Sequence, residues 1–148
     1  MTYVEIALKY FKNKFQCSQA VFAAFSQEYG LPQEQALKIG SCFGSGMRKG
    51  EVCGACTGAL MVLGLKYGKS KADDTESKIK SDKVCDKFLN EFKKENGSYI
   101  CNELLKCDIS TKEGVQFAKE NNLFTEFCPK IVESATIITE KILNEEIE

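Results

Sequence analysis

The chain has 148 residues, of which 43% are hydrophobic and 28% charged, and its formal net charge is −1. This length and composition are typical of a globular protein with a single domain, here residues 1–148. The near-zero charge argues against nucleic acid or a membrane surface as a partner, and the absence of histidine excludes Ser-His-Asp, Cys-His and imidazole–metal chemistry.

Apolar residues recur with a helical period through the first quarter of the chain. The predicted helices there cover residues 3–15, 17–29 and 33–39. A break near Asn13 separates the first two, Gly30 ends the second, and Pro32 suits the start of the third. Cys17 lies on the same predicted face as Ala20, so we expect its side chain to point inward.

A glycine-rich loop over residues 40–50 leads into the second part of the chain. The helices predicted after it cover residues 51–67, 73–96, 99–106 and 110–121, and a last one starting at Pro129. Asp73 is the expected cap of the long polar helix, and residues 110–113 fit a capping box. The positions expected to face inward are Ile79, Val84, Phe88 and Phe92 in the polar helix and Ile131, Val132, Ala135, Ile138 and Ile142 in the last helix.

Strand signals are almost absent, because no alternating β-branched run of useful length occurs. We therefore expect an all-α protein, a single-domain orthogonal bundle of about six helices around a buried glycine-rich central helix. The longest apolar run, residues 59–63, is far too short to span a membrane. The first ten residues lack the apolar core of a secretory signal, so we expect a cytoplasmic location.

The segment Gly40–Gly58 contains six of the eleven glycines and three of the eight cysteines. Gly50, Gly54 and Gly58 are four apart, so a helix from residue 51 would present them on one face, at a cost of about 2–3 kcal/mol in helix propensity. Close approach of another helix would offset that cost. The alternative is that these three glycines bind a cofactor.

Cys53 and Cys56 are three apart near the predicted start of the same helix. The helix dipole and free N–H groups lower thiol pKa values there, which suits a thiolate ligand pair or a catalytic redox dithiol. No strand precedes the pair, so a thioredoxin-like site is not favoured. Eight cysteines in a reducing compartment favour metal or redox chemistry over disulfides, although individual cysteines also serve as small core residues.

The sequence resembles a known family at its cysteines. The matching pieces are Cys17-Ser-Gln-Ala-Val, Gly50-Glu-Val-Cys-Gly-Ala-Cys-Thr-Gly58-Ala-Leu, Cys101-Asn-Glu-Leu-Leu and Phe127-Cys-Pro. In order and spacing they are similar to the C_GCAxxG_C_C family of cysteine-rich, redox-active proteins. The resemblance implies a small helical protein with a common cysteine set, namely Cys17, Cys53, Cys101 and Cys128. The remaining cysteines, Cys42, Cys56, Cys85 and Cys107, are then additions in this chain.

Three functions follow from these patterns. In the first, Cys17, Cys53, Cys101 and Cys128 ligate an iron–sulfur cluster or another thiolate-bound metal, and the protein transfers electrons to an unidentified partner. In the second, Cys53 is the reactive thiolate of a thiol–disulfide redox protein, with Cys56 or a family cysteine as the resolving thiol. In the third, the protein is a non-catalytic binding or scaffold protein. The sequence does not decide whether the chain is an enzyme, and it permits a homodimer without requiring one.

Overall fold

The computed structural model describes residues 1–147. Within that range it has eight α-helices and no strand, which confirms the all-α prediction. Six helices have nine or more residues, and α3 and α6 are shorter. The helices are α1 (Tyr3–Lys12), α2 (Cys17–Ser26), α3 (Gln33–Ile39), α4 (Gly54–Tyr67), α5 (Thr75–Asn96), α6 (Cys101–Leu105), α7 (Lys112–Glu120) and α8 (Cys128–Leu143).

The first turn predicted for the central helix is not helical. Helix α4 begins at Gly54 rather than at residue 51, because the preceding residues are extended and pair with the chain before α6. Val52 and Ile100 form an isolated antiparallel bridge there. Gly50 therefore lies outside the helix, in a turn with a φ of 71°.

Two predicted caps are displaced by one residue. Asp74, not Asp73, caps α5 by accepting a hydrogen bond from the Ser77 N–H. Thr111 caps α7 and accepts from the Gly114 N–H, so residues 110–113 do not form a capping box. In both cases the adjacent residue, which also has a side-chain oxygen, occupies the N-cap position and accepts from a free N–H group of the first turn.

One inward-facing prediction is wrong. Ile79 is 56% exposed, because the first turns of α5 extend beyond the core. The other predicted inward positions are buried, and they are Val84, Phe88 and Phe92 on α5 and Ile131, Val132, Ala135, Ile138 and Ile142 on α8.

Two hydrophobic clusters hold the helices together. The larger one joins α1, α2, α4, α5 and α8, and Phe25, Phe88 and Phe92 are its largest fully buried side chains. The smaller one joins α6, α7 and the start of α8 through Leu105, Ile109 and neighbouring residues. None of the helices within residues 1–147 combines the length and the hydropathy of a membrane-spanning segment.

Candidate functional site: a pocket walled by four cysteines

Each cysteine of the common set lies at the start of a helix. Cys17, Cys101 and Cys128 are the first residues of α2, α6 and α8. Cys53 is the N-cap residue of α4. Residues far apart in sequence thus reach the same part of the molecule, because these helix starts lie between the two hydrophobic clusters.

The antiparallel bridge holds two of these cysteines side by side. The Cys53 N–H donates to the Tyr99 carbonyl at 2.8 Å, and the Cys101 N–H donates to the Glu51 carbonyl at 2.6 Å. These two hydrogen bonds fix the segment before α4 against the segment before α6. They also explain why the central motif does not continue the helix backward from Gly54.

All four cysteines line one cavity of about 200 Å³, which we name the cysteine pocket. The rest of its wall is mainly apolar. The lining residues are Phe11, Phe15, Gln16, Cys17, Ser45, Cys53, Cys101, Leu104, Leu105, Phe124, Phe127, Cys128 and Ile131. An apolar cavity with a few converging polar groups is the usual form of a small-molecule or cofactor site.

Contacts between thiols connect the pocket wall to the core. The Cys17 thiol hydrogen bonds with Cys53, and Cys53 in turn hydrogen bonds with the buried Cys56. The N–H groups of Ser18 and Ser45 donate to the Cys17 sulfur. Such N–H donors stabilise a thiolate or a metal-bound sulfur more than a neutral thiol.

The pKa values of the contacting thiols are nevertheless raised. For Cys17, the hydrogen bond with Cys53 and burial hold the pKa well above its usual range. For Cys53, the Cys17 contact lowers the pKa, but the Cys56 contact and burial outweigh it, so the net pKa is also well above the usual range. The helix starts therefore do not make Cys53 a free thiolate at neutral pH.

The other two pocket thiols behave in the same way. Burial, followed by the charges of Cys17, Cys128 and Cys107, raises the pKa of Cys101 to about 12. Burial, followed by the charge of Cys17, raises the pKa of Cys128 to about 12. The mutual charge effects mean that these thiols lie close enough to oppose one another's ionisation.

The side chains do not form a ready site for one ion. Within residues 1–147, no group of three or more His, Cys, Asp or Glu side chains is arranged to hold a single metal ion. All eight cysteines are free, so no disulfide joins the pocket thiols. The pocket thus gathers the predicted metal ligands without placing them around one point.

The three predicted cofactor-binding glycines contact protein atoms. A Cβ added at Gly54 would lie 2.5 Å from the Cys17 sulfur, and one at Gly58 would lie 2.6 Å from the Ser18 carbonyl oxygen. Both glycines therefore pack against the first turn of α2. Gly50 packs against the Asn102 side chain instead. Their role in binding a cofactor stays a prediction.

The additional cysteines lie outside the pocket wall. Cys56, predicted as a catalytic partner of Cys53, is fully buried behind it in the larger hydrophobic cluster. Cys42 is exposed, and Cys85 is half-buried on α5. Cys107 is half-buried after α6, near enough to raise the pKa of Cys101.

Sequence reasoning missed Ser45 and the turn that carries it. Residues 45–48 all have positive φ, with values of 56°, 59°, 58° and 64° for Ser45, Gly46, Met47 and Arg48. This left-handed turn directs the Ser45 N–H to the Cys17 sulfur. The glycine content of the segment pointed to unusual backbone, but three of these four residues are not glycine, so the turn could not be located.

Comparison with known protein families identifies the same cysteine-containing region of the chain. The family described as "Putative redox-active protein (C_GCAxxG_C_C)" matches residues 15–142. That span contains all four pocket cysteines and the glycine-rich segment. Comparison with curated proteins and with solved structures found no match. The family match covers most of the chain, and the chain therefore belongs to the C_GCAxxG_C_C family of redox-active, cysteine-rich proteins.

Proposed function

We propose that the protein transfers electrons through an iron–sulfur cluster, or another thiolate-bound metal centre, held in the cysteine pocket by Cys17, Cys53, Cys101 and Cys128. The observation that carries this proposal is that these four cysteines, from four separate helix starts, line one cavity. Four cysteines are the ligand count of the common iron–sulfur clusters. The bound centre would supply one-electron chemistry, and its electron partner is unidentified.

Of the two kinds of centre, we propose a cluster rather than a single ion. A structural zinc ion needs all four sulfurs about 2.3 Å from one centre, and no such grouping occurs among residues 1–147. In a cluster, different irons take different thiolates, so the ligands surround a larger volume. The cavity of about 200 Å³ between the four cysteines provides that volume.

The surroundings of the sulfurs also suit a cluster. The N–H groups of Ser18, Ser45 and Ala55 donate to the sulfurs of Cys17 and Cys53, and such hydrogen bonds tune the potential of thiolate-bound iron. The phenylalanine and leucine side chains make the wall mainly apolar. A reducing, cytoplasmic compartment fits eight free cysteines.

Anaerobic purification or reconstitution with iron and sulfide tests the proposal. We expect a coloured protein that contains iron and sulfide and whose visible absorption bleaches on reduction. Elemental and sulfide analysis measures both per chain. Each of the substitutions C17S, C53S, C101S and C128S should remove most of the iron. The matched controls C42S and C85S, outside the pocket, should retain it. A colourless wild-type protein without iron after reconstitution would contradict the proposal.

The contact between Cys17 and Cys53 favours a second candidate, a thiol–disulfide redox protein. In that case the two thiols would give up two protons and two electrons to an oxidant such as a disulfide and would form one S–S bond. Oxidation would then remove two titratable thiols per chain, with no metal involved. C53S would abolish this loss, whereas C42S would not. Mass spectrometry after mild oxidation would locate the bond.

A further inference from the structure

A second recess lies next to the cysteine pocket and is polar rather than apolar. It encloses about 480 Å³, within the size range of small-molecule sites. Its wall consists of Ser45, Arg48, Lys49, Ile109, Ser110, Thr111, Lys112, Val115, Gln116, Lys119 and Phe124. We name it the cationic recess, because four of these side chains are cations and none is an acid.

Two elements place the four cations around the recess. Lys112 and Lys119 are seven residues apart on α7, so they lie on one helical face, two turns from each other. Arg48 belongs to the left-handed turn, and Lys49 follows it directly. Two separate segments of one concavity therefore carry positive charge, which concentrates the field inside it.

These cations are not neutralised within the protein. Among the ion pairs of residues 1–147, none includes Arg48, Lys49, Lys112 or Lys119. Glu113 and Glu120 directly follow Lys112 and Lys119 in sequence, and neither lines the recess, although Glu120 accepts a hydrogen bond from the wall residue Gln116. Asp108 does not line the recess either. Its carboxylate accepts hydrogen bonds from the Ser110 backbone and hydroxyl and from Asn102. The recess thus has charge available for an external anion.

The recess and the cysteine pocket share part of their walls. Ser45 and Phe124 line both cavities. Ser45 also donates its N–H to the Cys17 sulfur, so the left-handed turn contacts a pocket thiol and forms the edge of the recess. A molecule anchored by a negative group in the recess would therefore lie beside the wall that Ser45 and Phe124 share with the cysteine pocket.

We propose that the cationic recess binds a small polyanion, a molecule bearing phosphate or carboxylate groups, and presents it to the cysteine pocket. That the polyanion is a reaction partner rests on the proposed redox role of the cysteine pocket. The binding itself requires no metal centre.

Calorimetric titration of the full-length protein with pyrophosphate and with citrate tests the binding. We expect saturable binding of at least one probe, and the preferred probe identifies phosphate or carboxylate chemistry. The double substitution K112E/K119E should weaken that binding about tenfold or more, equivalent to about 1.4 kcal/mol. The control K71E/K94E makes the same change in net charge on exposed lysines outside the recess, and it should weaken binding less than about threefold.

The result that neither probe binds the wild-type protein would overturn the proposal. Equal weakening by the recess and control substitutions would overturn it too, since binding would then follow net charge alone. If circular dichroism shows that K112E/K119E is unfolded, K112Q/K119Q serves instead and should weaken binding about threefold. These outcomes do not depend on iron, so they are distinct from failure of the proposed electron-transfer role.

Alkylation of the full chain in its thiol form tests the link to the cysteine pocket. Iodoacetate is an anion and iodoacetamide is neutral. The alkylation rate with iodoacetate divided by the rate with iodoacetamide therefore reports on the electrostatic field at each pocket cysteine. At pH 9, K112E/K119E should lower that ratio about threefold at Cys17 and Cys128 and leave it unchanged at Cys85. An unchanged ratio at the pocket cysteines would overturn the link.

Discussion

Cys17 is the most connected of the pocket thiols. Its sulfur contacts Cys53, receives N–H donors from Ser18 and Ser45, and affects the pKa values of both Cys101 and Cys128. It also occupies the space that a side chain at Gly54 would need. Changes at Cys17 therefore reach every other thiol in the cysteine pocket.

The raised pKa values predict slow alkylation of the pocket thiols at neutral pH. Only the thiolate reacts with iodoacetamide, so the rates at Cys101 and Cys128 should rise about tenfold per pH unit between pH 7 and 10. The exposed Cys42 should react first at neutral pH. Peptide mass spectrometry after timed quenching measures each site. A rate at Cys101 that is already maximal at pH 8 would contradict the burial of this thiol.

Iron binding would remove this pH dependence, because ligation displaces the thiol protons. Reconstituted protein should therefore resist alkylation at Cys101 and Cys128 even at pH 10. The rate at Cys42 serves as the internal control and should be the same with and without iron.

Helix α4 depends on its glycines for close packing on α2. The Gly58 position lies directly against the Ser18 backbone, and the Ser18 hydroxyl donates to the Gly40 carbonyl at 2.7 Å, so this segment of α2 has little freedom to move. Because backbone rather than a flexible side chain opposes the missing Cβ, a larger residue cannot be accommodated by a rotamer change.

The substitution G58A should lower the free energy of unfolding by about 1–3 kcal/mol, because the new methyl group overlaps the Ser18 carbonyl. Gly64 is the matched control in the same helix, since an added Cβ there meets no atom within 4 Å. G64A should raise stability by about 0.5–1 kcal/mol through helix propensity. Urea denaturation of both variants measures the difference, and equal effects would show that the contact with α2 is not rigid.

The left-handed turn is the second element that the site depends on. Ser45, Met47 and Arg48 hold a conformation that costs L-residues about 1–2 kcal/mol each. Hydrogen bonds from Met47 N–H to the Phe43 carbonyl and from Glu51 N–H to the Gly46 carbonyl hold the turn. Strain of this kind persists where surrounding structure enforces it, often at functional sites.

Relief of that strain predicts a gain in stability. M47G should raise the free energy of unfolding by about 1 kcal/mol, because glycine adopts positive φ without steric cost and Met47 is 41% exposed. M47A removes the same side chain but keeps the steric cost, so its stability should stay within about 0.5 kcal/mol of the wild type. Thermal denaturation compares the two. A loss of stability in M47G would show that the Met47 side chain, and not the backbone, determines this turn.

The thiol form of the whole molecule should be destabilised by alkali. In the unfolded chain, cysteines ionise near pH 8.5, whereas Cys101 and Cys128 have folded-state pKa values of about 12. Because the folded values are higher, their contribution to stability is complete below about pH 8.5 and is lost as the pH rises toward 12. Each thiol lowers the free energy of unfolding by up to about 1.4 kcal/mol per pH unit in that window.

Denaturant titrations between pH 7 and 11 measure this effect. The variant C101S/C128S should show a shallower decline than the wild type, and C42S, at an exposed cysteine, serves as its control. Equal slopes in all three proteins would mean that the two pocket thiols do not govern the alkaline decline.

Much of this molecule follows from local patterns along the chain. Helical periodicity and end signals were sufficient for the all-α class and for α3, Gln33–Ile39, at its observed bounds. They also identified the buried face of α8, because burial of one face imposes the 3.6-residue period directly. The four family cysteines follow from motif order and spacing, and each lies at the start of a helix.

Long-range contacts settled what those patterns left open. Because Val52 and Ile100 form a bridge, α4 begins at Gly54 rather than earlier, and Cys53 lies beside Cys101. Backbone pairing of this kind depends on distant partners, so local propensity does not reveal it. The left-handed turn at Ser45 and the cationic recess beside α7 likewise depend on contacts between segments that are distant in sequence. Local sequence specifies which residues form helices, whereas the cysteine pocket exists only where separate helix starts meet between two hydrophobic clusters.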